Sequence, residues 1–145
     1  MMFQALIFDL NTVTEPSQLP EIVGCTLGLL KKRGMKLAVS SSEKATLETV
    51  TRLGIAPFVD AIVDGDTVGS RKPNPELFLT AADLLNVRPC DCLIADCSDE
   101  GIQAAFTGGF YSVGLGAAAV HPKADYRADF FSQIPEILGQ AVSIN

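Results

Sequence analysis

The 145-residue sequence is poor in the residues that several function classes require. Basic side chains are few: 11 Lys and Arg stand against 17 Asp and Glu, for a net charge of −6. A duplex-binding module needs a basic face, so nucleic acid is not an expected partner. The one basic cluster, Lys31-Lys32-Arg33, falls where a helix should end, and there it complements the helix dipole. No apolar run approaches the ~20 residues of a membrane span. The start, MMFQALIFDL, carries no basic stretch and meets Asp9, which is unlike a secretory signal. Four cysteines do not make a disulfide scaffold in a chain this apolar. Cys90, Cys92 and Cys97 match no common zinc spacing and have no histidine beside them. They read as reduced, mostly buried thiols, and a reducing cytoplasm is the expected compartment. His121 is the single histidine and precedes Pro122 in a loop, away from any strand end. The small-residue stretch 114–120 lacks GxGxxG, so a dinucleotide site is not expected.

What is present is apolar and alternating. The composition is 48% hydrophobic and 19% charged, which excludes disorder. By area scaling, folding takes the chain from ~22,000 Å² to ~7,000 Å² of exposed surface, enough for one core. A single domain over residues 1–145 is expected. Phe3–Phe8 is a short apolar run that stops at Asp9, as a buried strand does. Residues 11–19 read as a loop. Pro20 opens a helical pattern with Ile22, Val23, Leu27 and Leu30 on its inner side, stopped by Gly34. Lys36–Val39 is the second strand, and residues 43–53 form a helix with Leu47, Val50 and Leu53 inward. Residues 59–63 hold the third strand, before an Asp64-Gly65-Asp66 turn. Glu76–Leu85 is a helix facing inward through Leu77, Ala81, Leu84 and Leu85. Cys92–Ala95 is the fourth strand, Ser98 caps a helix to Thr107, and Phe110–Leu115 is the fifth strand. A loop over 116–125, a short strand at 126–128 and a closing helix over 135–142 complete the reading. Such repetition gives an α/β fold: a three-layer, doubly wound parallel sheet of Rossmann-like kind.

In such sheets the ligand crevice lies beyond the carboxyl ends of the strands. Asp9, Ser40, Lys72 and Asp96 all fall there. An Asp carboxylate can attack phosphorus to form an aspartyl phosphate. A Ser hydroxyl and the free N–H groups of a helix start can hold phosphate oxygens. A Lys can neutralise the charge, and a second carboxylate can hold Mg²⁺, a hard cation that takes oxygen ligands.

Four stretches in order carry a family resemblance: Phe8-Asp9-Leu10-Asn11-Thr12-Val13, Leu37-Ala38-Val39-Ser40-Ser41-Ser42, Ser70-Arg71-Lys72-Pro73-Asn74-Pro75-Glu76, and Ile94-Ala95-Asp96-Cys97-Ser98 through Gly101 to Gly108-Gly109. The chain resembles the haloacid dehalogenase superfamily over residues 2–138, most of all its β-phosphoglucomutase-like branch. The resemblance implies phosphoryl transfer or phosphomonoester hydrolysis with Asp9 as nucleophile. It implies that Ser40 and Ser41 bind the phosphoryl group and that Lys72 balances its charge. It places Mg²⁺ between Asp9, the backbone carbonyl of Asn11 and Asp96. The expected partner is a phosphorylated small molecule or macromolecule, with homo-oligomers possible and no membrane.

Three departures accompany the resemblance. Asn11 stands where the family has an Asp that protonates the leaving oxygen and then activates water; an amide cannot exchange that proton. Cys97 stands where the branch has its metal-binding Asp, and a thiol is a poor ligand for Mg²⁺. Only residues 12–19 separate Asn11 from Pro20, and residues 55–71 separate Gly54 from Lys72, so neither usual insertion point holds a cap domain. These departures support an alternative reading: a catalytically impaired relative that binds a phosphorylated ligand or a protein partner.

Overall fold

Ala5–Asp9 (β1) has no polar face to show solvent until its last residue, so it is stable only where both sides are covered. It lies at the centre of the sheet. The chain then runs through α1 (Asn11–Thr14), α2 (Pro20–Lys32), β2 (Lys36–Ser40), α3 (Thr46–Arg52), β3 (Ala61–Val63), α4 (Glu76–Leu85), β4 (Cys92–Asp96), α5 (Asp99–Gly108), β5 (Tyr111–Leu115), β6 (Tyr126–Ala128) and α6 (Ile134–Ser143). This computed structural model describes residues 3–15, 18–65 and 68–143. All strand pairs are parallel and the order is β3-β2-β1-β4-β5-β6. The order reverses between β1 and β4, which fixes the crevice at the carboxyl ends of those two strands.

Alternation along the strands divides the core in two. Leu6, Phe8, Leu37, Val39, Leu93 and Ala95 face one layer, where Phe8 meets Phe131 edge to face at 5.3 Å. Ala5, Ile7, Ala38, Cys92 and Ile94 face the other, against α4 and α5, where Phe78 meets Phe110 at 6.2 Å. By the same alternation Asp9, Ser40 and Asp96 share the α4/α5 side. No helix among the described residues is long and apolar enough to cross a membrane.

The α/β reading holds, with local corrections. Helix α4 occupies the expected residues, and Ser98 caps α5 by accepting the Gly101 N–H at 3.1 Å. The loop expected over 11–19 begins instead as α1, and Pro16 and Ser17 lie outside the described residues. The helix expected from residue 43 starts at Thr46, because the Ser41 hydroxyl accepts the Glu43 N–H and Ala45 turns the chain with φ 61°. That start buries Thr46 and Val50, four residues apart, and turns Leu47 outward. Leu84 and Ile22 are likewise exposed, since Leu77, Phe78, Ala81, Ala82 and Leu85 define the inner face of α4, and Val23, Thr26, Leu27 and Leu30 that of α2. The stretch after β5 forms a 3-10 turn over Gly116–Val120. Of the cysteines only Cys92 is buried; Cys25 and Cys90 are exposed and Cys97 is half-buried. Asp66 of the expected turn lies outside the described residues.

Candidate functional site

The side chains at the crevice arrive from four separate segments, those at or after the ends of β1, β2, β3 and β4. Asp9 ends β1 and Asp96 ends β4. Lys72 comes from the loop between β3 and α4, where two prolines restrict the backbone. Its ammonium lies over the Phe78 ring, with Nζ 5.3 Å from the ring centroid. The Lys72 ammonium donates to Asp9 Oδ1 at 2.7 Å and to Asp96 Oδ2 at 2.6 Å. The three side chains are only 12%, 6% and 1% exposed, in the order Lys72, Asp9, Asp96.

The remaining carboxylate oxygens are also held. The Asn11 N–H donates to Asp9 Oδ2 at 2.9 Å. The Ser98 N–H and hydroxyl both donate to Asp96 Oδ1 at 2.9 Å. Ser98 thus caps α5 and orients an acid with one hydroxyl. Gly101 is required beneath it, because a Cβ there would overlap the Asp96 carboxylate. The Thr12 hydroxyl donates to the Asp9 carbonyl at 2.6 Å and ties α1 to the end of β1.

Charge in this setting shifts both partners. Burial and the neighbouring Asp96 hold Asp9 above the ordinary carboxylate value, against the pull of Lys72 and the Asn11 N–H. Burial alone would lower Lys72, but Asp96 and Asp9 outweigh it and raise its value, so it stays an ammonium. Burial, with Asp96 and Asp9 close by, pushes the Cys97 thiol up to about 11.

The structure brings Asp9, Asn11, Lys72, Asp96 and Cys97 to one crevice of about 270 Å³. Ser42, Arg71, Ser98 and Glu100 complete its lining. Ser40 is fully buried on the sheet and does not line it; among the described residues its hydroxyl has no hydrogen-bond partner. Ser41 and Ser42 line an adjoining cavity of about 250 Å³ that shares Arg71 and Lys72. Sequence reasoning missed Ser42, Arg71 and Glu100. Ser42 sits in the same serine run as Ser40 and Ser41, and Arg71 precedes Lys72, so their positions were the available signal. His121 lines neither cavity.

Residues 2–109 match the haloacid dehalogenase-like hydrolase family. The chain is 36% identical over 114 residues to a β-phosphoglucomutase of Bacillus subtilis, covering 79% of this chain and 49% of that protein. It is 32% identical over 99 residues to a fructose-1-phosphate phosphatase of Escherichia coli, covering 68% of this chain and 51% of that one. The chain therefore spans about half the length of these curated relatives. A crystal structure of β-phosphoglucomutase from Clostridium difficile has the same fold, with TM-score 0.79 at 20% identity, over 98% of this chain and all of that one. A sheet of this order, ending in a lysine-bridged pair of carboxylates, and a sequence match over most of its length lead to one assignment: the chain belongs to the haloacid dehalogenase-like hydrolases.

Proposed function

We propose that this chain carries out phosphoryl transfer at Asp9, in the reaction class of phosphatases and phosphomutases. The observation that carries the reading is the Lys72 bridge between Asp9 Oδ1 and Asp96 Oδ2. It keeps a nucleophilic carboxylate oriented and charge-compensated at a strand end, where a ligand can reach it. Positioning and charge neutralisation are the main contributions of a protein to phosphoryl transfer.

In this reading an Asp9 oxygen forms a bond to phosphorus while the bond from phosphorus to the leaving oxygen breaks. The Asn11 N–H keeps the carboxylate plane fixed during the attack. Lys72 remains charged and offsets the negative charge that phosphate adds. Asp96, anchored by Ser98, holds Lys72 in place. Ser41 and Ser42 supply hydroxyls toward the phosphoryl oxygens from the adjoining cavity. Water then attacks the phosphorus of phospho-Asp9 and releases inorganic phosphate.

Magnesium belongs to the proposal. Among the described residues no three His, Cys, Asp or Glu side chains form a metal cluster. Magnesium nonetheless binds through one or two carboxylates, with substrate phosphate and water filling its shell. Asp9, Asp96 and the Asn11 carbonyl suit that demand, and the Cys97 thiol does not. When bound, Mg²⁺ supplies charge neutralisation to the phosphoryl oxygens. The substrate in this reading is a phosphorylated small molecule or macromolecule, met in the cytoplasm.

A second reading, binding of a phosphorylated ligand without turnover, is favoured by Asn11 and Cys97, which replace two acids of the family pattern. A phosphomonoester panel assayed with and without Mg²⁺ separates the two. Turnover that Asp9→Asn abolishes supports the first. Silence of the natural chain, with turnover restored by Asn11→Asp and Cys97→Asp together, supports the second.

A further inference from the structure

Breaking the bond from phosphorus to an alkyl oxygen leaves an alkoxide, which is a strong base unless an acid delivers a proton as the bond breaks. The crevice lining is short of such acids. Asn11 has no ionisable proton. Arg71 does not release one at any working pH. Two of the three Lys72 protons go to carboxylates, and those acids hold the ammonium in its charged form, which makes it a poor proton donor. Asp9 must be ionised to attack. The Ser98 hydroxyl donates to Asp96 and accepts from Gly101. Both Asp96 oxygens already accept hydrogen bonds, from Lys72 and from Ser98, and the Ser42 hydroxyl is too weak an acid to deliver a proton. Glu100, exposed at the rim on the first turn of α5, and the half-buried Cys97 are the remaining groups, and a test can separate them.

We infer that this crevice selects phosphoryl donors whose leaving group departs as a stable anion, the acyl phosphates and related mixed anhydrides, over alkyl phosphomonoesters. The inference deepens the phosphoryl-transfer reading and rests on it. The step balances without a proton. An Asp9 oxygen bonds to phosphorus, the bond from phosphorus to the acyl oxygen breaks, and the electron pair leaves on a carboxylate. One acyl phosphate is exchanged for another, so the transfer is close to neutral in energy. From an alkyl ester the same step runs uphill, and the site would have to supply the difference. The second half-reaction is also slowed, because the attacking water must lose a proton and the Asn11 amide cannot take it. The phosphoryl group therefore stays on Asp9 longer before water removes it.

The experiment incubates the full chain and Mg²⁺ with acetyl phosphate or with glycerol 3-phosphate, and follows one added phosphoryl group by intact mass. Acetyl phosphate should label the chain once, and Asp9→Asn should abolish the label. Labelling or turnover with glycerol 3-phosphate should be slower by roughly 10²–10⁴-fold, the usual worth of general acid catalysis. Asn11→Asp should close most of that gap and shorten the lifetime of the phosphorylated chain. Equal rates from both donors overturn the inference and leave the phosphoryl-transfer reading standing. So does turnover of glycerol 3-phosphate by the natural chain that Glu100→Gln or Cys97→Ser removes, because another group then supplies the proton. So, too, does an Asn11→Asp variant that takes glycerol 3-phosphate while acetyl phosphate fails to label the natural chain. If neither chain accepts phosphate from either donor, both readings fall together.

Discussion

Two lysines make ion pairs of nearly equal length in this molecule, and they differ in everything else. Lys31 Nζ lies 2.6 Å from Asp60 Oδ2, with the side chains 33% and 38% exposed. Lys72 makes its contacts at 2.7 and 2.6 Å, almost out of solvent and with two acids instead of one. The first pair is screened by water and salt and gains little. It steadies a strand start, because Asp60 Oδ2 also accepts the Leu37 N–H at 2.8 Å. The second group is a charge cluster that solvent cannot relieve, so each member depends on the others. Distance alone ranks the two as equals; burial sets their worth.

The sharpest way to break the contrast is to remove each cation. Lys72→Met leaves two buried carboxylates without a counter-charge and should cost about 3–5 kcal/mol, measured by urea unfolding at neutral pH. The loss should shrink on acidification, since protonation removes the charges left unpaired. Gly101→Ala should cost about 1–3 kcal/mol, because its methyl overlaps the Asp96 carboxylate and displaces it from Lys72. The same variant should lower any phosphoryl-transfer rate.

Asp9→Asn should act in the opposite direction. Asp9 has a folded value raised above the ordinary 3.8, so the fold disfavours its ionised form. That cost is absent below the ordinary value and complete once pH passes the raised one. The variant should therefore raise the melting temperature at neutral pH while abolishing phosphorylation, and lose its advantage in acid. Asp60→Asn should have the smallest effect, under about 1 kcal/mol. Burial pushes Asp60 up, but Lys31 and the Leu37 N–H outweigh it and hold the value below 3.8. The stabilisation is present above 3.8 and is lost as pH falls through the lowered value. High salt should erase most of the difference between the natural chain and the Asp60→Asn variant.

Sequence reasoning reached the elements whose boundaries are local. Helix α4 has Pro73 and Pro75 before it and an unbroken apolar face, so its limits are written in its own residues. The α5 cap follows from Ser98 and the turn behind it. The start of α3 was not legible, because it depends on a side-chain turn at Ser41 and a left-handed Ala45. Leu47 and Leu84 looked inward because an apolar residue counts equally on either side of a helix until its partners are known. At the site, Asp9, Lys72 and Asp96 were legible as strand-end groups. Their shared ammonium was not, since it joins residues 63 and 24 positions apart. Nor was the exchange of position among Ser40, Ser41 and Ser42 at the end of β2. In a run of three identical residues, only the strand register tells which one turns into the sheet and which one lines the crevice.

The double duty of Ser98 carries a consequence for assembly. One hydroxyl accepts the Gly101 N–H that starts α5 and donates to the acid that steadies Lys72. Helix initiation and the orientation of Asp96 thereby share one side chain. Winding the first turn of α5 and fixing the Asp96 carboxylate draw on the same hydroxyl, so neither can be lost without loosening the other.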